Sequence, residues 1–207
     1  MSKRVAQALG LRYLDTGAMY RAVAWWLLEE GVDLADVDRV ASLAPGIPLR
    51  MSTDPADPHV FVGDVDVSAA IRQTRISEAV SAVATNLRIR EFLVARQKAI
   101  AYEGNVVIEG RDITTVVAPD APVRVLLTAS EATRLARRAR DVHGAVDEQA
   151  LHATRDQVIR RDAQDATVAS FHEAADGVAV VDSSGLSLDD TVRAVLDVVA
   201  ERTGVRA

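Results

Sequence analysis

Leu14-Asp15-Thr16-Gly17-Ala18-Met19-Tyr20-Arg21 joins a short apolar run to an Asp-Thr-Gly turn, then to a helical pattern with an arginine one turn inside its start. The first amides of such a helix have no partner within it. A phosphate fits there, faced by Thr16, the free N–H groups and Arg21. An ordinary helix start capped by Asp15 or Thr16 accounts for the same residues. The stretch alone leaves both open, and the rest of the chain has to decide.

Working outward, the flanks read as alternating helix and strand. Residues 2–9 form the end of an amphipathic helix stopped by Gly10, with Val5, Ala6 and Leu9 on one face. Leu11 to Asp15 is a short strand, and Ala18 to Glu30 a helix expected to bury Ala22, Trp25, Trp26 and Leu28. Asp33 to Leu43 is a shorter helix. Pro45 and Pro48 mark a boundary, after which Val60, Val62, Val65 and Val67 alternate around a Gly63-Asp64 hairpin turn. We therefore expect a small β insertion over residues 45–70. Ile76, Val80, Val83 and Leu87 restore helical spacing, with Thr85-Asn86 offering a break into a second helix that reaches Tyr102. Two further apolar strands are expected from Asn105 to Gly110 and from Val123 to Thr128. A helix capped by Ser130 follows, then one over about 147–161, a strand from Gly177 to Val181, and a last helix capped by Ser187. Alternation of this kind with near-continuous apolar strands predicts an α/β fold around a parallel sheet.

Composition excludes several functions. The length of 207 residues suits one domain, with or without an insertion, and 49% hydrophobic with 26% charged residues is a globular balance. No apolar run approaches a membrane span. The absence of cysteine removes disulfides, thiolate metal sites and thiol nucleophiles together. His59, His143, His152 and His172 lack metal-ligand spacing, so no metal site is expected. A net charge of −6 argues against nucleic-acid binding. Only Lys3 and Lys98 are lysines, and every other cation is an arginine, whose planar fork suits phosphate and carboxylate. A GC-rich genome accounts for the overall bias, so only the placement of particular arginines is informative. A cytoplasmic monomer is the expectation.

Ligands of open parallel sheets sit outside the carboxyl ends of the strands. Asp15, Thr16 and Arg21 follow the first strand, Glu109, Gly110, Arg111 and Asp112 the second, and Thr128 to Ser130 the third.

These segments, together with Ile71-Arg72 through Val80-Ser81-Ala82-Val83, Arg88-Ile89-Arg90 with Arg96-Gln97, Val116-Val117 with Pro119-Asp120-Ala121-Pro122, and Arg161-Asp162 with Asp165, resemble bacterial cytidylate kinases. They stand in that family's order and spacing over essentially the whole chain. The resemblance implies a P-loop kinase-like parallel sheet flanked by helices. Residues 1–44 and 71–207 would form the core, about 131–170 a lid, and 45–70 a nucleotide-monophosphate-binding insertion. It implies transfer of the γ-phosphoryl of ATP, with Mg2+, to CMP or dCMP. Ser81, Arg90 and Asp112 would read the base, and Thr16, Arg21 and Arg111 would seat the substrate phosphate. Arg161 and Asp165 would hold the ribose from the lid, although their i, i+4 spacing equally suits a plain surface salt bridge. Arg111 and Arg161 would be catalytic; Arg134, Arg137 and Arg138 read first as a solvated helix face, with help in covering a triphosphate as the lesser alternative. The base assignment is chemically apt. Cytosine offers an amino donor beside two acceptors, which suits one carboxylate and one multi-donor group; uracil would leave both mismatched.

The chain departs from the family pattern in three places. G-x-x-x-x-G-K-[ST] does not occur, Thr114 replaces a glycine after Arg-Asp-Ile, and Val168 stands where the lid supplies another arginine. The expectation is therefore a chain lacking the first, central strand and the phosphate loop, best explained by an internal translation start. The alternative is a truncated, non-catalytic pyrimidine-monophosphate-binding remnant or interaction module.

Overall fold

Gly10, at φ 64°, ends the first helix α1 (Ser2–Leu9) in the left-handed conformation, and the chain turns directly into strand β1 (Arg12–Asp15). The computed structural model describes residues 1–144 and 173–205, with 146, 147, 151, 154, 155, 163 and 167 between them. Asp15 closes β1 and caps α2 (Thr16–Glu29), its carboxylate accepting the Ala18 N–H at 2.8 Å. The helix thus starts two residues earlier than its apolar pattern suggests. Asp36 caps α3 (Val37–Leu43) by accepting the Arg39 N–H at 3.0 Å. Residues 33–36 form a turn rather than the helix expected there, because Asp33 bonds the Ala35 N–H instead.

Strands β2 (Leu49–Met51), β3 (Val60–Val62) and β4 (Val65–Asp66) make a small antiparallel sheet, with Gly63 at φ 59° in the turn. Helix α4 (Thr74–Ala84) breaks before Asn86, which caps α5 (Leu87–Tyr102). The Asn86 side chain accepts from Arg88 and Ile89 and donates to the Val37 carbonyl at 3.0 Å, so one residue joins three helices. Strand β5 (Val106–Glu109) lies parallel to β1 with Asp15 opposite Glu109. After it, Ile113–Val117 forms a wide π-helical turn, which apolar periodicity does not reveal. Strands β6 (Val125–Thr128) and β7 (Ala179–Asp182) form a second parallel pair. Helix α6 (Glu131–His143) runs from its Ser130 cap to Gly144, and α7 (Leu188–Thr203) from its Ser187 cap to Gly204.

Two apolar clusters hold these layers. The larger surrounds α2 and takes Leu14, Met19, Leu27, Ile71, Ile76, Ile89 and Leu93 out of solvent. Each such side chain contributes about 1.5–3 kcal/mol. Trp25, Trp26 and Leu28 are only half-buried at its rim; Val23, Ala24 and Leu27 occupy the centre instead. Neighbouring elements cover α2 on several sides, so small residues fill the close approaches. The smaller cluster consists of Val5, Val181, Val192 and Val195, flanked by Val107 and Val125. Val107 of β5 and Val125 of β6 both pack against this cluster, yet among the described residues the two parallel pairs are separate sheets. The observed class is α/β, with parallel strands flanked by helices.

Candidate active site

The register of β1 against β5 carries Thr16 up to Gly110, and the contact is close. The Thr16 hydroxyl donates to the Glu109 carbonyl at 2.8 Å, and a Cβ placed on Gly110 would stand 2.2 Å from Thr16 Oγ1. Only a residue without a side chain lets the two strand ends approach so nearly. Below this junction the Tyr13 hydroxyl donates to Glu109 Oε1. Burial, reinforced by the Glu109 carboxylate, holds the Tyr13 phenol far above its ordinary range, so it stays a donor.

Arg21 folds back over the start of α2 and meets Asp15 Oδ2 at 3.0 Å. Arg72, from the turn before α4, approaches the same carboxylate oxygen at 3.8 Å. One carboxylate between two guanidinium groups leaves a net positive corner at a helix N-terminus. Gly17 makes room for it, since a Cβ there would lie 3.2 Å from Asp15 Oδ1 and 3.3 Å from Arg21 Nη1. The amide of Ala18 is already taken by Asp15. Thr16 and Arg21 thus follow the carboxyl end of β1, and the half-buried Arg111 follows that of its neighbour β5.

Arg90 and Asp112 form a second group. Arg90 Nη2 bonds Asp112 Oδ2, with side chains 14% and 7% exposed, and Nη1 donates to the Ala84 carbonyl at 3.2 Å. Ser81, also buried, lies on the same α4 segment as Ala84. A carboxylate and a multi-donor group held side by side in a nearly dry setting can present an acceptor and several donors to one flat polar ligand. Asp112 owes its place to the π-helical turn, whose Val116 and Val117 amides point back at its carbonyl. Arg124, one residue before β6, donates to the Thr114 carbonyl at 3.4 Å.

Of the arginines assigned to covering a triphosphate, Arg137 is committed elsewhere. It bonds the Ser183 carbonyl at 2.7 Å and hydroxyl at 3.0 Å, tying α6 to the end of β7. Arg138 reaches Ser77 Oγ at 3.4 Å, and Arg134 also has a partner. Arg161, Asp165 and Val168 lie outside the described residues. Two residues close to this site carry no role in the sequence reading, Tyr20 and Gln97. A signal existed for the second, a carboxamide on the buried stripe Ile89, Leu93, Gln97 of α5.

The geometry is that of a positively charged helix start and a buried carboxylate–guanidinium pair in an α/β fold of parallel strands flanked by helices, and comparison with known proteins narrows the class. The family model described as cytidylate kinase matches residues 1–201. A curated cytidylate kinase of Cutibacterium acnes (strain DSM 16379 / KPA171202) is 46% identical over 200 residues, covering 96% of this chain and 88% of the relative. One from Rhodococcus opacus (strain B4) is 46% identical, covering 99% of this chain and 90% of its own length. One from Mycobacterium avium (strain 104) is 42% identical, covering 99% and 91%. The chain belongs to the cytidylate kinase family.

Proposed function

We propose that this protein is an ATP-dependent phosphotransferase whose acceptor is CMP or dCMP, with CDP or dCDP as product. The observation that carries the acceptor is the buried Arg90–Asp112 pair, with Arg90 also bonded to Ala84 three residues after the buried Ser81 on α4. Asp112 accepts the exocyclic amine of cytosine, while Arg90 and Ser81 supply donors to its N3 and O2. Thr16, Arg21 and Arg111 take the 5′-phosphate, and Arg161 and Asp165 take the ribose. The β2–β4 sheet, within residues 45–70, serves as the monophosphate-binding insertion, and about 131–170 as the lid.

An oxygen of the acceptor phosphate attacks the γ-phosphorus; the bond from that phosphorus to the β-bridging oxygen breaks, and ADP leaves. The acceptor oxygen needs no general base, because a phosphate monoester is largely dianionic at neutral pH. The protein's work is positioning and neutralisation of charge. Arg111 and Arg161 supply positive charge next to the transferring group. Mg2+ enters as the Mg–ATP chelate. The working form is taken to be a cytoplasmic monomer without a nucleic-acid partner, in keeping with the −6 net charge. No helix among the described residues is long and apolar enough to cross a membrane.

Calorimetric titration of the chain with CMP, dCMP and UMP tests the acceptor half directly, and a coupled assay for ADP formation tests the transfer. The expected result is binding of CMP and dCMP well above UMP. Equal affinity for UMP would overturn the base assignment. Cytidine-nucleotide binding without ADP formation would support the reading as a non-catalytic binding remnant.

A further inference from the structure

Arg72 and Arg75 stand on either side of the start of α4, and their surroundings differ. Arg75 is provided for: its Nη2 meets Glu29 Oε1 at 2.7 Å, and its Nε donates to Gln73 Oε1 at 3.0 Å. The guanidinium of Arg72 has one ion pair among the described residues, with Asp15 Oδ2 at 3.8 Å, which is too long for a hydrogen bond. Its side chain is 68% exposed. Its backbone is nevertheless fixed. Ile71, beside it, is buried in the α2-centred core, and the Arg72 N–H donates to the Ala69 carbonyl at 3.1 Å. A guanidinium with a fixed base and a loose tip is placed to take a ligand.

The charges around it indicate which kind. Arg21 and Asp15 make a neutral pair at 3.0 Å. Glu109 stands opposite Asp15 in the β1–β5 ladder and brings a second carboxylate, which Arg111, two residues on, offsets. Arg72 is the charge left over, and it alone makes the corner positive. Asp15 Oδ1 is occupied by the Ala18 N–H, and Oδ2 is shared between the two arginines. Arg21 Nε lies buried without a hydrogen bond among the described residues, so the corner also holds an unused donor. An anion with several acceptor oxygens satisfies both the donor and the excess charge.

We propose that Arg72 is a further ligand of the acceptor's 5′-phosphate, turning from Asp15 to donate to a phosphate oxygen alongside Arg21. This rests on the phosphate corner assigned under the proposed function, and adds a residue to it.

The test is equilibrium binding of CMP, UMP and cytidine to the full chain and to its Arg72→Ala, Arg72→Lys and Arg75→Ala variants, with Arg72→Ala also made on an Asp15→Asn background. Arg72→Ala lowers CMP and UMP affinity alike by about tenfold, the worth of one charge-assisted hydrogen bond, and leaves cytidine unchanged. Its thermal midpoint holds, because an exposed ion pair at this distance contributes little to folding. Arg72→Lys keeps most of the affinity, and Arg75→Ala keeps all of it. Asp15→Asn retains a capping oxygen for α2 and removes the charge. A loss that persists on that background therefore reports Arg72 acting on the phosphate rather than through Asp15. An unchanged CMP affinity in Arg72→Ala overturns the proposal. So does an equal loss for cytidine, a loss that vanishes with Asp15→Asn, or the same loss in Arg75→Ala. CMP bound no more tightly than cytidine by the unmodified chain would instead overturn the phosphate corner itself. UMP bound as tightly as CMP would overturn the base assignment and leave Arg72 in place, since both nucleotides carry the same phosphate.

Discussion

At the scale of single residues, the site depends on two close approaches and three ion pairs. Gly110→Ala places a methyl group 2.2 Å from Thr16 Oγ1 and 2.8 Å from Ile113 Cδ1. The junction between β1 and β5 must open to admit it, a loss of about 1–3 kcal/mol readable as a lowered denaturation midpoint. Arg21→Ala removes the guanidinium that Asp15 now holds. CMP and UMP affinities should fall together by about tenfold to a hundredfold in calorimetry, since charged hydrogen bonds of this type are worth about 1.5–3 kcal/mol. An unchanged affinity would take Arg21 out of the phosphate corner. Asp112→Asn should fall on CMP alone. These residues were legible as types at strand ends. Their present partners were not. That Asp15 both caps α2 and holds Arg21 depends on a side chain reaching six residues along the chain, and spacing cannot express that.

At the scale of elements, caps and turns carried most of the foresight. Asn86, Ser130 and Ser187 all cap the helices that follow them, and Gly10 and Gly144 both adopt positive φ at helix ends. These signals act within four residues, so they survive in the sequence. The π-helical turn after Asp112 left no signal, because its wider spacing follows from how Asp112 and Val117 are packed. Asn86→Ala should cost about 1–2 kcal/mol, since it removes a cap and the bond to Val37 at once. The small antiparallel sheet carries its own pH response. His59 is flanked by Asp66 on Nδ1 at 2.6 Å and Asp57 on Nε2 at 2.7 Å, which raises its pKa above 6.5, the Asp66 hydrogen bond foremost. Hydrogen bonds from Ser68, ahead of His59, hold Asp66 below its ordinary 3.8. The histidine's contribution is complete below pH 6.5 and fades as pH rises through its raised value. The aspartate's is complete above 3.8 and fades as pH falls through its lowered one. The hairpin should therefore be firmest between those limits. An NMR titration of the His59 ring and the Asp66 and Ser68 amides would show it, and an ordinary His59 midpoint would refute it.

At the scale of the whole molecule, the burial is uneven. The α2-centred cluster joins β1, β2, β3, α4 and α5, whereas four valines and their half-buried neighbours hold α1, β7 and α7 together. Hydrogen exchange should release the amides of α1, β6, β7 and α7 first and those of α2 and α4 last. Uniform protection across both parallel pairs would mean that something other than side-chain burial couples them. The α/β class was legible because alternation survives at every scale. The separation of the two pairs was expected only through the family resemblance, since strand order is a long-range property that local pattern does not encode. Arg96 adds a mechanical consequence. It donates to the Leu49 carbonyl at 2.7 Å and lies over the Phe92 ring, six positions along α5 from Arg90. Helix α5 thus carries the hairpin latch at one point and the Arg90–Asp112 pair at another. Under the base assignment proposed above, a swing of the hairpin that keeps this latch would tilt α5 and move Arg90, and would so tie base selectivity to hairpin position.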